Sequence, residues 1–339
     1  MAEQKLQAAS PEVGQPLAHG GGRRHRHHGR MNRPIPAIHV RGLTRQFPGG
    51  HGVRELDLDV PAGAIYGFLG PNGAGKTTTI RLLLGLLRPQ AGEIVLHGRP
   101  LGSNRRAALA EVGALVESPS LYGHLSGRDN LEVTRRLLDL PRTRIDAVLD
   151  RVGLADSAAR RVRDYSLGMR QRLAIALALL GSPRLLVLDE PGNGLDPAGT
   201  LDMRALLRGL ADDGLTVFVS SHQLGEVEQV ASHVGVIREG TMCFQGRLQE
   251  LRDRVKPRLL LRCAEPDRAR VLLANHGESV SRRDAETLAV DLEASTPAQL
   301  NRFLVGHGVE VSHLALEHAS LESLFFDLTA APALKEAAA

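Results

Sequence analysis

The sequence predicts an α/β fold with a parallel central sheet and a helical insertion, followed by a small α+β unit. From Ile38 onward, short β-rich runs alternate with helical ones. Residues 185–188 and 216–220 are unbroken apolar or β-branched runs, as strands covered on both faces of a parallel sheet are. Residues 64–69 form another such run, which meets a Gly-rich turn and then an apolar helix over 77–87.

In chain order, residues 1–36 come first. They are rich in Gly, Pro, Arg and His, including GGGRRHRHHGR at 20–30, and lack any apolar period, so they are expected to be a disordered, solvated tail. His19, His25, His27 and His28 are candidate opportunistic metal ligands in that tail, and Met31 is a second candidate start. The core follows over 37–255, with residues 118–181 reading almost entirely as helix. The second unit, 256–330, reads as strand 259–263, helix 266–276, strands 279–282 and 287–292, helix 297–307 and strand 310–316, in a ferredoxin-like order. A final helix is expected at 321–328 and a flexible tail at 331–339.

At 339 residues the chain suits about two domains of roughly 150 residues each. With 42% hydrophobic and 24% charged residues, it is neither a disordered nor a collagenous chain. The formal charge of +4 is carried by the tail, where six basic residues meet two acidic ones, so the remaining body is neutral and lacks a nucleic-acid footprint. Two cysteines, Cys243 and Cys263, cannot build a disulfide framework, which suits a reducing compartment. The longest apolar stretch, 173–188, is broken by Gly181, Pro183 and Arg184, short of the roughly 20 residues of a spanning helix. The first residues have no apolar core like that of a secretory signal. A soluble, cytoplasmic protein is expected, touching a membrane only through a partner.

The strongest chemical signal is GPNGAGKTT, formed by Gly70, Pro71, Asn72, Gly73, Ala74, Gly75, Lys76, Thr77 and Thr78. It fits G-x-x-x-x-G-K-[ST] between a strand and a helix, where that motif belongs. Glycines let successive N–H groups turn inward around an anion while the helix aims its positive end at the same phosphates. Lys76 then reaches the β and γ oxygens, and Thr77 offers a hydroxyl to Mg²⁺. The run LLVLDE at 185–190 ends in two carboxylates. Asp189, at the strand end, suits the metal, and Glu190, one residue on, is placed to orient or deprotonate the attacking water.

Upstream lies YSLGMRQR, residues 165–172, opening an apolar helix. Ser166 and Gly168 at a helix start make a second anion site from hydroxyl, backbone N–H and dipole; an ordinary helix cap is the competing reading of Ser166. With this segment the chain resembles the nucleotide-binding subunits of ATP-binding cassette (ABC) transporters. The resemblance implies a P-loop NTPase fold: a RecA-like core with a β-subdomain, and a helical insertion special to the family. It makes 165–172 the signature motif, which contacts the γ-phosphate held by a second subunit. Leu167 stands where the family has Gly, and Met169 where it has Gln.

Further positions follow from the resemblance. Asp196, in Gly194-Leu195-Asp196, corresponds to the D-loop, and His222 to the H-loop histidine that would hydrogen-bond the γ-phosphate. Phe47, in LTRQF, stands where an aromatic ring stacks on adenine, though core packing explains a Phe there equally well. Glu117, in LVESPSLY, replaces the Q-loop glutamine. It keeps an oxygen toward Mg²⁺ and the attacking water while losing the amide donor, unless it is simply a tolerated replacement. This Glu, the signature and the single cassette most resemble the bacitracin-resistance and lantibiotic-immunity exporters, as does the ending LEHASLESLFFDLT at 316–329. Residues 118–140 begin the surface against which a membrane partner would dock, with Tyr122 a candidate anchor.

The implied protein is an ATP- and Mg²⁺-dependent exporter ATPase working with a separate transmembrane permease and a second nucleotide-binding subunit as a homodimer. Its place would be the inner face of the membrane, and its cargo a drug, peptide antibiotic or lipid-like molecule. The rival is a soluble ABC ATPase acting on nucleic acid or ribosomes. Such proteins usually carry two cassettes per chain, a long coiled coil or a zinc module, none of which is visible here.

Overall fold

The structure, a computed structural model, describes residues 35–117, 120–253, 258–292 and 295–317. All of the expected 1–36 tail before residue 35, the helix at 321–328, the end at 331–339 and the boundary at 255–256 lie outside the described residues.

The strands and helices run β1 (Ile38–Gln46), β2 (Gly52–Val60), β3 (Ile65–Leu69), α1 (Lys76–Leu83), β4 (Ala91–Leu96), β5 (Arg99–Pro100), α2 (Arg105–Leu109) and β6 (Val112–Leu115). Next come α3 (Gly127–Leu137), α4 (Thr143–Arg151), α5 (Leu167–Leu179), β7 (Leu185–Asp189), α6 (Pro197–Asp212), β8 (Thr216–Ser221), α7 (Leu224–Glu228), β9 (His233–Arg238), β10 (Thr241–Arg247) and α8 (Leu248–Asp253). The last are β11 (Arg258–Cys263), α9 (Pro266–Asn275), β12 (Ser279–Arg282), β13 (Thr287–Asp291), α10 (Pro297–Gly306) and β14 (Val311–Glu317).

The central sheet has the order β10-β9-β3-β8-β7-β6, parallel except for β10 at its edge. Every residue of β3, β7 and β8 is buried, which is why their sequences are continuous and do not alternate. Successive residues nevertheless enter different cores. Ile65, Leu69, Leu186, Leu188, Val217 and Val219 face one, while Tyr66, Phe68, Leu185, Val187 and Phe218 face the other. The second core is closed by the antiparallel sheet β2-β1-β4-β5, whose Ile38, Val40, Leu56 and Leu58 are fully buried. At its centre Phe218 stacks on Tyr66 at 5.7 Å and touches Phe68 at 5.3 Å. Truncating Phe218 to Ala would cost about 3–5 kcal/mol.

Two expected helices are shorter than the apolar pattern. Helix α1 stops at Leu83 because Gly85 turns left-handed (φ 63°) and the N–H groups of Leu86 and Leu87 fold back on the Arg81 carbonyl. The 118–181 region is three helices with 3₁₀ turns at Ala155–Ser157 and Val162–Asp164, not nearly continuous helix. Asp139 (φ 50°) and Pro141 end α3, and Gly153 (φ 65°) ends α4. Ser126 and Asp129 start α3 with a reciprocal capping box.

Residues 258–317 carry their own sheet, β12-β13-β11-β14, antiparallel throughout, with α9 and α10 on one face. Leu259, Leu261, Leu273, Leu288, Val290, Leu300 and Leu304 form its core. The βαββαβ order is the expected ferredoxin-like one.

Candidate functional site

Strand β3 delivers the chain to the Gly70–Gly75 turn, and the backbone there needs glycine. Gly73 and Gly75 have φ of 79° and 108°, and a Cβ on Gly70 would lie 2.4 Å from the Ile237 carbonyl oxygen. Pro71 and Asn72 are exposed at the turn's tip, and the Ala74 N–H returns to the Pro71 carbonyl at 3.1 Å. Helix α1 then starts at Lys76 with no side-chain cap, so its first N–H groups face the turn. Thr78, in the first turn of α1, is half-buried.

Lys76 is only 5% exposed. Its ammonium donates to the carbonyls of Gly70 (2.8 Å) and Pro71 (3.3 Å) and lies 3.3 Å from Glu190 Oε1. Thr77 Oγ1 donates to Asp189 Oδ2 at 2.9 Å. These two oxygens, one hydroxyl and one carboxylate, are the hard donors that Mg²⁺ prefers, so the residues fit that ion. Ser220, fully buried at the end of β8, donates to Asp189 Oδ1 at 2.5 Å and accepts from the Glu190 N–H at 3.0 Å. One hydroxyl therefore fixes both acids. Glu190 has φ 48°, uncommon for a residue with a side chain, and its Oε2 meets His222 Nδ1 at 3.1 Å.

Glu117 is also left-handed (φ 61°) and lines the cleft shared by Thr77, Asp189, Glu190 and Asn193. Its carboxylate, however, is paired with the Arg81 guanidinium on α1, and both groups are well exposed. The charge that the sequence adds beside the phosphates is thus answered by a cation one turn beyond Thr77.

Ser166 and Gly168 do not join this group. With Asp196 they line a second cleft between the starts of α5 and α6. Both polar residues cap helices: Ser166 Oγ accepts from the Met169 N–H at 3.2 Å, and Asp196 Oδ1 from the Gly199 N–H at 2.8 Å. Phe47 is half-buried, belongs to neither core of the central sheet, and has the Arg45 guanidinium 5.2 Å above its ring. Tyr122 is 53% exposed, on a loop that buried Asn130 holds through two hydrogen bonds.

Three residues near the cleft escaped the sequence reading: Ser220, Arg81 and Gln171. A hydroxyl ending an otherwise apolar strand is a signal for the first. The other two look like ordinary helix residues. Gln171 Oε1 is buried with no hydrogen-bond partner among the described residues, an omission worth about 1–3 kcal/mol.

A phosphate cradle on a parallel sheet, with a Thr–Asp oxygen pair and a Glu–His pair beyond it, defines a P-loop nucleoside-triphosphatase. Residues 53–193 match the ABC transporter family, and the chain belongs to it as an ATP-binding subunit and ATPase. It is 39% identical to the bacitracin transport ATP-binding protein BcrA of Bacillus licheniformis, over 86% of this chain and 96% of the relative. It is 36% identical to the daunorubicin/doxorubicin resistance ATP-binding protein DrrA of Streptomyces peucetius, over 88% and 94%. Among solved structures, cbiO1 from Clostridium perfringens, part of an ABC transporter complex, superposes with a TM-score of 0.60 at 26% identity, over 71% of this chain and 95% of that one.

Proposed function

We infer that the chain drives an exporter as one of two identical cassettes closing head to tail around ATP, and that a separate permease carries the cargo. The observation that carries this is the separation of the two clefts. Thr77, Asp189 and Glu190 share one, with Lys76 paired to Glu190 at 3.3 Å, whereas Ser166, Gly168 and Asp196 share another, so one chain presents each half of a site.

In this reading the 70–75 turn, the start of α1 through Thr78 and the Lys76 ammonium hold the β- and γ-phosphates, Phe47 stacks on the adenine, and Thr77 and Asp189 hold Mg²⁺. When bound, that ion offsets charge on the phosphate oxygens. Glu190 accepts the proton of the attacking water, and His222, hydrogen-bonded to it, fixes its rotamer and contacts the γ-phosphate. Ser166 and Gly168 of the second copy close over the same phosphate, with Asp196 at the crossing. Glu117 faces the water and metal once it leaves Arg81. Tighter binding of ATP than ADP by the closed pair shifts the permease between states. The cassette occupies 37–255, and 256–330 is an accessory unit.

The relatives named for transport of bacitracin and resistance to daunorubicin favour a drug or antibiotic as cargo over a lipid-like molecule. No helix among the described residues is long and apolar enough to cross a membrane, in keeping with a peripheral subunit at the cytoplasmic face. Recovery of the chain from its native cells with an integral membrane protein is expected; recovery with ribosomes or DNA would overturn the reading.

A further inference from the structure

Three carboxylates line the cleft that holds Thr77, those of Glu117, Asp189 and Glu190, and each is answered differently. Asp189 takes hydroxyl donors from Thr77 and Ser220, at 2.9 and 2.5 Å, and Glu190 meets Lys76 and His222, at 3.3 and 3.1 Å. Arg170 also lines the cleft, but its Nη1 donates to the Tyr165 carbonyl at 2.6 Å. Glu117 is left to Arg81, the only cation paired with it among the described residues. Arg81 follows Thr77 by four residues on α1, so the two share a helix face, yet it is not itself among the residues that line the cleft. Glu117 holds φ 61°, a conformation that a residue with a side chain adopts at a cost. Both ends of the pair are exposed, 43% and 59%, and an ion pair in water adds little to stability. The pair is thus better explained by where it holds the carboxylate than by folding.

We propose that Arg81 is a positioning residue for the nucleotide: it holds the Glu117 carboxylate at the α1 side of the cleft and offsets its charge, so that an arriving terminal phosphate does not meet an uncompensated acid. The inference rests on the reading that this cleft takes the triphosphate. Like charges about 6–8 Å apart near a protein surface repel strongly enough to change an affinity several-fold, and salt screens that repulsion. A neutral side chain at 117 would need no such partner, so Arg81 matters to the nucleotide only while residue 117 is charged.

The test is Arg81→Gln, Arg81→Lys, Glu117→Gln and the double Arg81→Gln/Glu117→Gln in the full chain. Thermal unfolding with and without ATP or ADP, and the KM of steady-state hydrolysis, are measured at about 0.05 and 0.5 M salt. Without nucleotide, all four should melt within a few degrees of the wild type. At low salt Arg81→Gln should raise KM for ATP roughly fivefold to tenfold. It should also shrink the ATP-induced rise in Tm more than the ADP-induced one, because the uncompensated charge faces the terminal phosphate. The loss should fade at high salt and be largely recovered in Arg81→Lys. On the Glu117→Gln background, Arg81→Gln should cost nothing further. Wild-type KM and ATP shift in Arg81→Gln would overturn the proposal, as would an equal loss with and without Glu117→Gln, which is the behaviour of a residue that binds ATP directly or only packs. A loss that salt leaves unchanged would overturn it too. A wild type with no ATP-induced shift would instead remove the reading beneath it.

Discussion

Lys76 and Glu190 form a partly buried ion pair, Nζ to Oε1 3.3 Å, with the second carboxylate oxygen on His222 at 3.1 Å. In the proposed function, the cation that would hold the phosphate is thus paired with the proposed base, and a triphosphate reaching Lys76 would compete with Glu190 for it. Its arrival would free a carboxylate beside the γ-phosphorus with His222 still attached. Glu190→Gln removes the base and weakens that competition together. Turnover should fall by about 10²–10⁴-fold while ATP affinity holds or improves, and an ATP-bound dimer should accumulate. Hydrolysis assays with gel filtration in ATP test this; near-wild-type turnover would remove Glu190 from the role of base.

Ser220 reaches both acids with one hydroxyl, donating to Asp189 and accepting from the Glu190 backbone. Ser220→Ala leaves the buried Asp189 Oδ1 without its donor, while the Glu190 N–H keeps only the Ser220 carbonyl at 3.2 Å. The expected loss is about 1–3 kcal/mol of stability. A drop in kcat of roughly tenfold should accompany it, because Glu190 sits in a strained backbone conformation that this bond supports. Urea unfolding and kinetics on one preparation separate the two effects. Stability loss with unchanged kcat would leave Ser220 a purely structural residue.

The two readings of Phe47 also separate experimentally. Its ring lies outside both cores of the central sheet, so Phe47→Ala should change the melting temperature little. If the ring stacks on adenine, ATP binding weakens by about 0.5–1.5 kcal/mol and recovers in Phe47→Tyr. Binding to ATP and to inorganic triphosphate gives the control, since only the former has a base to lose.

What was legible in the sequence was whatever a local pattern dictates. Buried parallel strands show as apolar runs, the phosphate turn as spaced glycines, and the six elements of 258–317 as periods bounded by Pro and Gly. Illegible features depend on contacts between distant residues. Arg81 and Glu117 lie 36 residues apart, and nothing local to either announces their pair. Ser220 and Asp189 are 31 apart in sequence but become neighbours because β7 and β8 are adjacent. Helix lengths were overestimated in α1 and in 118–181 because apolar residues continue past the point where a left-handed residue stops the helix.

Acidification gives a further test. His97 and His233 both have pKa values below the ordinary histidine range. Burial is the main cause in each, aided at His97 by Arg184 and Arg99 against Glu111, and at His233 by Arg247 against Glu250. The unfolded chain, with ordinary histidines near 6.5, therefore takes up protons first as the pH falls. Stability from this source is complete above about pH 6.5 and is lost as the pH drops through the lowered folded values. Asp59 titrates lower still: burial acts upward, but hydrogen bonds from Arg41 and His39 hold its carboxyl below the usual range. Its contribution therefore disappears in a separate, more acidic window. His97 sits in a left-handed turn at φ 46°, a conformation that Asn adopts readily. His97→Asn should thus fold, and should flatten the fall in Tm as the pH drops below about 6.5. Equal slopes for wild type and variant would show that His97 is as easily protonated in the native state as in the unfolded one.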